Sequence, residues 1–430
     1  MMKTNMKSKF NILLLLAVMM SALSLTSCKD DDFTPTIFDT TEYPLDRSLY
    51  SFPLDTFVKV NFLEPYNMRF IYRMEYIGSD KDKNLTPASY ENSCKLAVLT
   101  KYLWHDVYKD VADEHALFLK RYSPRIIHVI GSKNLNTSSG TETLGVTEGG
   151  TKVTLYRVNL LDPSDIDNMN EYFFETMHHE FGHILDNTKL HPTTFNLLSN
   201  GLYNASSWNE TPDSVAAAQG FVSNYASMSY TEDWVETFGR YITRDSISWN
   251  KMLNTAEYEW ETVNLEDFNK DDKINVSDYY ARFGSGDVDI DTIGYFKEDE
   301  SGNDEHKVYR RMCKRDAEDH VVLDDNGNVQ WVANSVGARQ IIEQKVAFVR
   351  EYMQTQYGIN LEDLRYQIQA KQYRKGTDGK FLTEPYYNSM NRRIEQRQLN
   401  AITFVNPVTG KSNLDELLSA IDEYKKFQTK

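Results

Sequence analysis

Two histidines, His179 and His183, flank Glu180 in an H-E-x-x-H motif. Residues four apart lie on one face of a helix, so both imidazoles can reach a single metal ion. Glu180 stands beside the first ligand, where a general base can take a proton from water. Apolar residues at helical spacing around the motif predict a helix from about residue 168 to 185. The segment therefore predicts a zinc site on a helix and a hydrolytic reaction.

A catalytic zinc site takes three protein ligands, and the motif supplies two. The longer motif with a third histidine is excluded, because Asp186 and Lys189 stand at its Gly and His positions. Glu232 and Glu236 lie four apart in a segment predicted to be helical from about residue 231 to 242. One of them can bind zinc while the other accepts the N–H of a ligating histidine. The residues alone leave the two roles open, and a solvated acidic turn at a helix start is the alternative.

These segments resemble the Glu-zincin metallopeptidases, in particular the branch that includes the catalytic domain of anthrax lethal factor. The likeness rests on the H-E-x-x-H helix with Asp186 after it, and on Glu232-x-x-x-Glu236-x-Phe238. It rests also on Tyr225, which stands seven residues before Glu232. The match covers roughly residues 170 to 245.

The resemblance implies a role for each of these side chains. In that arrangement Zn²⁺ is bound by His179, His183 and Glu232, Glu180 activates the water, and Glu236 and Asp186 support the ligands. Tyr225 would stabilise the oxyanion of the intermediate or protonate the leaving amine.

A wider resemblance covers most of the chain. Residues 123–127, 145–150, 155–159 and 178–185, together with a lipobox at Cys28, look like the zinc metallohydrolase lipoproteins associated with substrate import. Members usually carry His-Gln after Ile-Leu, whereas Asp186-Asn187 stand here. The likeness implies a TonB-dependent importer and its substrate-binding lipoprotein as partners, and the resemblance to the metallopeptidases implies a peptide or protein substrate. A catalytically inactive zincin-like accessory lipoprotein of such an importer is the alternative, and an amidase for non-peptide amides is a third hypothesis.

The amino terminus predicts export and lipidation. Residues 1–27 combine three lysines with an apolar run too short to span a bilayer, which is typical of a signal peptide. The run ends at Cys28 in a sequence that resembles a bacterial lipobox. Residues 28–50 then form an acidic, Thr/Pro-containing tether. We expect an outer-membrane lipoprotein, exposed at the cell surface and held by its lipid anchor only.

The predicted elements around these residues indicate an α+β, zincin-like fold. In this fold the active-site helix packs on a small mixed sheet. Short β-rich runs are expected from residue 57, for example at 57–60. Residues 126–130 and 152–158 are predicted strands, the second lining the cleft as an edge strand, with a loop between residues 132 and 150. We expect a catalytic domain over 51–250, an Asp/Asn-rich insertion over 251–335 and a mainly helical region over 336–430, in which a helix ends at Gly358.

Residues 267 to 278 carry oxygen-bearing side chains at the spacing of an EF-hand-type calcium loop. The predicted Ca²⁺ ligands are Asp267, Asn269, Asp271, the backbone of Lys273, Asn275 and Asp278. The spacing resembles the calcium loop of dockerin modules, although Asp272 replaces the usual glycine. An Asp/Asn-rich surface turn is the alternative interpretation.

The charge balance of the chain limits the classes of partner that we expect. Acidic residues outnumber basic ones by 63 to 47 over 430 residues, giving a net charge of −16. A protein that binds the phosphate backbone needs the opposite balance, so nucleic acid is not expected as a partner. Three cysteines are too few for a disulfide scaffold, and the sequence leaves open whether Cys94 and Cys313 pair.

Overall fold

Helices dominate the described part of the chain, whose short strands form one four-stranded sheet and several two-stranded ribbons. The computed structural model describes residues 45–74, 83–112, 116–136, 142–148, 150–264, 266–272, 277–278, 281, 307–318, 320–387 and 393–429. The described residues between Tyr50 and Gln428 belong to one compact unit. The mixture of helices and small sheets confirms the predicted α+β class.

The described α-helices are α1 (Phe52–Val58), α2 (Glu64–Tyr66), α3 (Tyr90–Leu99), α4 (Asp106–Val111), α5 (Ala116–Tyr122), α6 (Ile166–Met169), α7 (Glu175–Thr188), α8 (Thr193–Asn196), α9 (Asp213–Ala218), α10 (Tyr230–Thr243), α11 (Ser246–Thr255), α12 (Ala338–Tyr357), α13 (Leu361–Gln372) and α14 (Asn413–Asp422). Turns of π-helix lie at Lys59–Leu63, Thr100–His105 and Asn170–Phe174. Turns of 3₁₀-helix lie at Val158–Leu160, Trp208–Glu210, Tyr225–Met228 and Glu423–Phe427.

The described strands are β1 (Arg69–Ile71), β2 (Ile126–Val129), β3 (Asn134–Leu135), β4 (Glu142–Thr143), β5 (Gly145–Glu148), β6 (Lys152–Leu155), β7 (Trp260–Asn264), β8 (Lys307–Arg311), β9 (Thr383–Tyr387) and β10 (Arg393–Gln398). The main sheet has the order β1-β2-β6-β5. Its first three strands are parallel, and β5 runs antiparallel to β6. Two-stranded ribbons are formed by β3 with β4, β7 with β8, and β9 with β10.

The edge strand next to β6 is β5, so the prediction that the strand at 152–158 is an edge strand is wrong. The strand β6 pairs with β2 on one side and with β5 on the other. The prediction of a loop at residues 132–150 is also wrong, because β3, β4 and β5 lie within this segment. Strands of two to four residues are too short for their alternation to stand out against a Ser/Thr/Gly-rich composition.

The strand expected at residues 57–60 is helical instead. Phe57 and Val58 end α1, and the chain continues through the π-turn Lys59–Leu63. Leu54, Phe57, Val58 and Phe62 are all buried, and this spacing suits one face of a helix. Tertiary burial of that face outweighs the β-propensity of the short apolar run.

The helix predicted at about 168–185 is confirmed. It forms one continuous run from α6 through the π-turn into α7, and the run ends at Thr188. The helix predicted at about 231–242 is confirmed as α10. The predicted stop at Gly358 is also confirmed, because this glycine has a φ of 65° and its N–H donates to the carbonyls that end α12.

One face of α7 is anchored in an aromatic core. The Phe181 ring makes edge contacts with Trp104 and Tyr108, at centroid distances of 5.2 and 5.0 Å. The Tyr108 hydroxyl lies 2.8 Å from Nδ1 of the buried His178. At the other end of α7, Tyr357 of α12 donates to the Leu185 carbonyl at 2.6 Å. These contacts fix both the rotation and the carboxyl end of the motif helix.

The helices α7 and α10 pack closely at Gly182. A Cβ atom placed there would lie 3.1 Å from Val235 Cγ1 and 3.2 Å from Phe238 Cδ1. A glycine at this contact lets the two backbones approach, which brings the side chains of α10 within reach of the histidines of α7.

No helix among the described residues is both long and apolar enough to cross a membrane. Cys94 and Cys313 are each buried as free thiols. Burial raises the pKa of the Cys94 thiol to about 11, so it is not activated as a nucleophile.

Candidate metal centre

The amino end of α10 is set by a cap that fixes Glu232 in the first helical turn. Ser229 has extended backbone angles, and its Oγ accepts a hydrogen bond from the Glu232 backbone N–H at 3.2 Å. This is the geometry of an N-cap serine. The cap starts the helix at a defined residue, so the direction of the Glu232 side chain is defined as well.

The structure brings His179, His183 and Glu232 together. Oε2 of Glu232 lies 3.2 Å from Nε2 of His179 and 3.3 Å from Nε2 of His183. One ligand atom from each residue lies within 4.8 Å of the others. Burial alone would raise the pKa of Glu232, but its contacts with the two imidazoles lower it to about 2. The carboxylate is therefore ionised, as a metal ligand must be.

The three atoms fit zinc. A tetrahedral ion with bonds of about 2.0–2.1 Å holds its ligand atoms roughly 3.4 Å apart, close to the two distances measured here. Oε2 of Glu232 is buried, yet it receives no well-directed hydrogen bond from the part of the chain that the structure describes. A buried oxygen without a partner is costly unless something else satisfies it. Two imidazoles and one carboxylate are also a donor set found at catalytic zinc.

Glu236 supports His179 from the side away from this triad. Its Oε1 accepts a hydrogen bond from His179 Nδ1 at 2.8 Å, which leaves Nε2 of that ring facing Glu232. Its Oε2 accepts from Ser223 Oγ at 2.5 Å and from Arg240 Nε at 3.0 Å. Burial opposes ionisation, but Arg240, His179 and Ser223 hold the pKa of Glu236 well below its usual range. The sequence left open which glutamate faces the two histidines. In the structure Glu232 faces both of them, and Glu236 orients His179.

The charge of Arg240 is shared with a second buried carboxylate. Glu175, at the start of α7, lies 3.4 Å from Arg240 Nε and 2.8 Å from Arg244 Nε. The charges of Arg244 and Arg240 outweigh burial and lower the pKa of Glu175. These ion pairs connect α7 to α10 directly behind His179.

Glu180 points toward the sheet edge. The Thr147 hydroxyl of β5 donates a short hydrogen bond to Glu180 Oε2, and it lies 3.3 Å from the Glu180 carbonyl. A Cβ atom at Gly145 would lie 2.4 Å from Thr176 Cγ2 and 3.4 Å from Glu180 Oε1. The absence of a side chain at Gly145 therefore allows β5 to lie directly against α7.

On the side of β5 that faces away from β6, the backbone groups have no hydrogen-bond partner among the described residues. The Leu144 carbonyl accepts a hydrogen bond from Tyr156 N at 3.3 Å, so Leu144 and, two residues on, Val146 face β6. The backbone N–H and C=O groups of Gly145 and Thr147 face the opposite way. In the sheet order, no described strand lies on that side of β5.

Tyr225 lies beside the triad. Its ring centroid is 5.8 Å from that of His179, and Trp208 packs edge-on against it at 4.8 Å. Burial, together with the carboxylates of Glu232, Glu236 and Glu180, raises the pKa of Tyr225. The hydroxyl therefore remains protonated and can act as a hydrogen-bond donor.

Asp186 has a different role from the one that the resemblance implied. Its Oδ1 accepts hydrogen bonds from His191 N at 2.7 Å and from His191 Nδ1 at 2.8 Å. His191 Nε2 in turn lies 2.9 Å from Asn196 Oδ1. Asp186 comes seven residues after His179, and both of these hydrogen bonds join it to His191, in the chain that leaves α7. It stabilises that exit rather than a ligand.

The described part of the predicted calcium loop is closed by its own hydrogen bonds. The Asp267 carboxylate accepts from the backbone of Asp271 at 3.1 Å and of Asp272 at 3.0 Å. Asp278 Oδ1 accepts from Phe268 N at 2.8 Å and Asn269 N at 3.1 Å. Asp272 adopts the left-handed conformation expected at its position, with a φ of 61°. Lys273 and Asn275 lie outside the described residues, as do the predicted signal peptide and Cys28.

Sequence reasoning missed the residues that support the site. Thr147, Ser223 and Arg240 come from three different segments and have no motif of their own. Arg240 has one local signal, since it lies four residues after Glu236 on the same helix face. Thr147 lies within a segment that carried the family likeness, but its contact with Glu180 depends on the sheet.

Comparison with known proteins agrees with this geometry. Residues 49–362 match the family described as "Putative zinc-binding metallo-peptidase". The chain belongs to this family.

Similarity to individual proteins adds less. A crystal structure described as "a putative zinc-binding metallo-peptidase from Bacteroides caccae ATCC 43185" is 26% identical to this chain. The match covers 74% of this chain and 90% of that chain, with a TM-score of 0.47. No curated protein matches the chain. The family match therefore indicates a zinc-binding metallopeptidase, and the site residues follow from the geometry described above.

Proposed function

We propose that the protein is a zinc peptidase whose catalytic centre consists of His179, His183, Glu232, Glu180 and Tyr225. The observation that carries this proposal is the convergence of two imidazole nitrogens, from the helix that also bears Glu180, on one buried carboxylate oxygen. His179, His183 and Glu232 would hold the ion. The chemistry that zinc supplies when bound is Lewis acidity and a lowered pKa of water.

The chain's own residues supply the remaining steps. The oxygen of the attacking water bonds to the carbonyl carbon of the peptide, while Glu180 takes the proton of that water at its carboxylate, which the Thr147 hydroxyl holds in place. The proton then passes to the amine nitrogen as the C–N bond breaks. The Tyr225 hydroxyl donates a hydrogen bond to the oxygen on which negative charge develops. Glu236 keeps the proton of His179 on Nδ1, so Nε2 stays available as a ligand.

The substrate class that we propose is an extended peptide. The unpaired N–H and C=O groups of Gly145 and Thr147 can add a peptide strand by main-chain hydrogen bonding. Because Thr147 also contacts Glu180, a peptide paired with β5 would lie alongside the base. This supports a peptide bond, rather than a small isolated amide, as the target.

The test is a cleavage profile of a proteome-derived peptide library with wild type and Glu180→Gln. The amide cannot take a proton from water, so we expect turnover to fall by about 10²–10⁴-fold with zinc retained. Glu171→Gln is the matched control, because this exposed glutamate lies on the same helical run. Cleavage by Glu180→Gln at the wild-type rate would contradict the mechanism. Equal absence of cleavage in all three proteins, with zinc bound, would favour the inactive accessory lipoprotein.

We also propose that Cys28 carries a lipid anchor at the outer-membrane surface, and that the protein acts beside a TonB-dependent importer. The support is the order of basic, apolar and small residues before Cys28 and the resemblance to the import-associated lipoproteins. We expect Cys28→Ser to move to the soluble fraction. Its recovery in membranes after signal removal would point to a different anchor.

Calcium at residues 267–278 remains a prediction, supported by the ligand spacing. Millimolar calcium should raise the melting temperature through linkage, and Asp267→Ala should abolish the rise. If calcium leaves the melting temperature of the wild type unchanged, the segment is an ordinary acidic turn that does not bind calcium.

A further inference from the structure

A buried ion pair joins α10, the helix that bears Glu232, to α12. Asp233 follows Glu232 in α10, and its Oδ2 lies 2.6 Å from Lys345 Nζ of α12. Both side chains are 0% exposed. The Tyr203 hydroxyl also donates to Asp233 Oδ2, at 3.0 Å. Successive residues of a helix point about 100° apart, so Glu232 faces the histidines while Asp233 faces α12.

The same ammonium holds a second segment of the site. Lys345 Nζ donates to the Gly220 carbonyl at 2.7 Å and lies 4.2 Å from the centroid of the Phe221 ring. Gly220 packs so closely on α12 that a Cβ atom would lie 2.8 Å from Ile341 Cγ2, and its φ is +88°. The chain runs from Gly220 straight to Ser223, which bonds Glu236, and to Tyr225. Lys345 thus contacts both α10 and the segment from Gly220 to Tyr225, which approach α7 from the same side.

Stability alone does not account for this arrangement. Removing two charges from water costs about as much as their attraction returns, and apolar replacements of buried pairs are often neutral or stabilising. Such a pair can, however, fix the register of the elements it joins, because a shifted register would leave a charge buried without a partner.

We propose that Lys345 is a positioning residue of the metal centre, which holds the helix bearing Glu232 and the segment bearing Ser223 and Tyr225 in register with each other. This proposal rests on the zinc site proposed above. It assigns to α12, which lies outside the predicted catalytic domain, a part in the geometry of the third ligand.

The test measures zinc affinity by chelator competition and the visible spectrum of the cobalt(II)-substituted protein. Lys345→Met keeps the aliphatic stem and removes the charge. We expect its zinc affinity to fall by about 10–100-fold, the range typical of residues that orient metal ligands, and its cobalt spectrum to change. Arg339→Met is the matched control, because Arg339 lies on the same helix and pairs with Glu257 and Glu343. We expect it to leave zinc affinity and the spectrum unchanged.

Lys345→Met leaves Asp233 buried without a counter-charge, so this variant can unfold. The double variant Asp233→Asn/Lys345→Met buries no lone charge, and we expect it to fold while showing the same weakened zinc binding and altered spectrum. A folded single or double variant with wild-type zinc affinity and cobalt spectrum would overturn the proposal, even if its melting temperature changed. Failure of the zinc site itself is distinguished by His179→Ala: if that variant retains zinc, the proposed function fails, whatever Lys345 does.

Discussion

Glu180 is held by a hydroxyl that comes from a different element. The Thr147 side chain donates to one oxygen of its carboxylate, from the strand at the sheet edge. A hydrogen bond to a charged group contributes about 1.5–3 kcal/mol, so this contact can select one orientation of the base. A base must be within hydrogen-bond reach of the proton it takes, and orientation therefore affects the rate directly.

We expect Thr147→Val to lower kcat by about tenfold or more with zinc retained, because the isosteric side chain cannot donate to Glu180. Thr147→Ser keeps the hydroxyl and should stay within a few-fold of wild type. Steady-state kinetics with metal analysis checks both. Equal rates for the valine and serine variants would mean that the hydroxyl does not orient the base.

Tyr225→Phe tests the donor at the transition state. We expect kcat to fall by about 10²–10³-fold, comparable to the loss of one oxyanion donor, with zinc content unchanged. Trp208→Phe is a useful companion, since it keeps an aromatic ring against Tyr225 without altering the hydroxyl. An unchanged kcat in Tyr225→Phe would leave this tyrosine with a packing role.

The distance between α7 and α10 decides whether the site can form. Gly182 leaves room for Val235 and Phe238 at the crossing, and Glu175 with Arg240 and Arg244 ties the helices together beside it. A wider spacing would move Glu232 away from the histidines, because His183 follows Gly182 directly and His179 lies three residues before it on α7.

Gly182→Val should separate the two helices. The added methyl groups overpack the contact, so we expect a loss of about 1–3 kcal/mol in the free energy of unfolding, together with weaker zinc binding. Gly182→Ala should have a smaller effect, since its Cβ needs a shift of only a few tenths of an ångström from Val235. Urea unfolding of the metal-free proteins and zinc titration provide the measurements. Wild-type stability and zinc affinity in the valine variant would show that the contact between the two helices can accept a larger side chain.

The metal centre joins segments from distant parts of the chain. His179 comes from α7, Glu232 from α10, and the pair of Asp233 with Lys345 adds α12. A ligand that binds only the folded state stabilises it by mass action. Zinc binding should therefore stabilise the fold as a whole.

We expect zinc at about a thousand times its Kd to add about 4 kcal/mol to the free energy of unfolding, and so to raise the melting temperature. His183→Ala should abolish most of this increase, because it removes one of three ligands. His320→Ala is the matched control, since this imidazole is 76% exposed and lies outside the triad. Scanning calorimetry with and without zinc measures the effect. A full zinc-dependent increase in His183→Ala would exclude that histidine as a ligand.

The amino-acid sequence by itself determined what depends on neighbours along the chain. The helical spacing of His179 and His183 follows from 3.6 residues per turn, and Glu180 is adjacent to the first of them. The two helices that carry the site could be predicted because their apolar residues recur at helical spacing. The stop at Gly358 could be predicted because glycine readily adopts the left-handed conformation.

Only the tertiary structure decided what depends on contacts between distant segments. Glu232 and Glu236 share a helix face, and the position of α7 alone determines which one faces both histidines. Asp186 binds His191 because the chain turns back after α7. The edge strand is β5 rather than β6 because β6 also pairs with β2, and strand pairing is not encoded in a four-residue pattern. The contact between Lys345 and Asp233 spans over a hundred residues, and no local pattern specifies it.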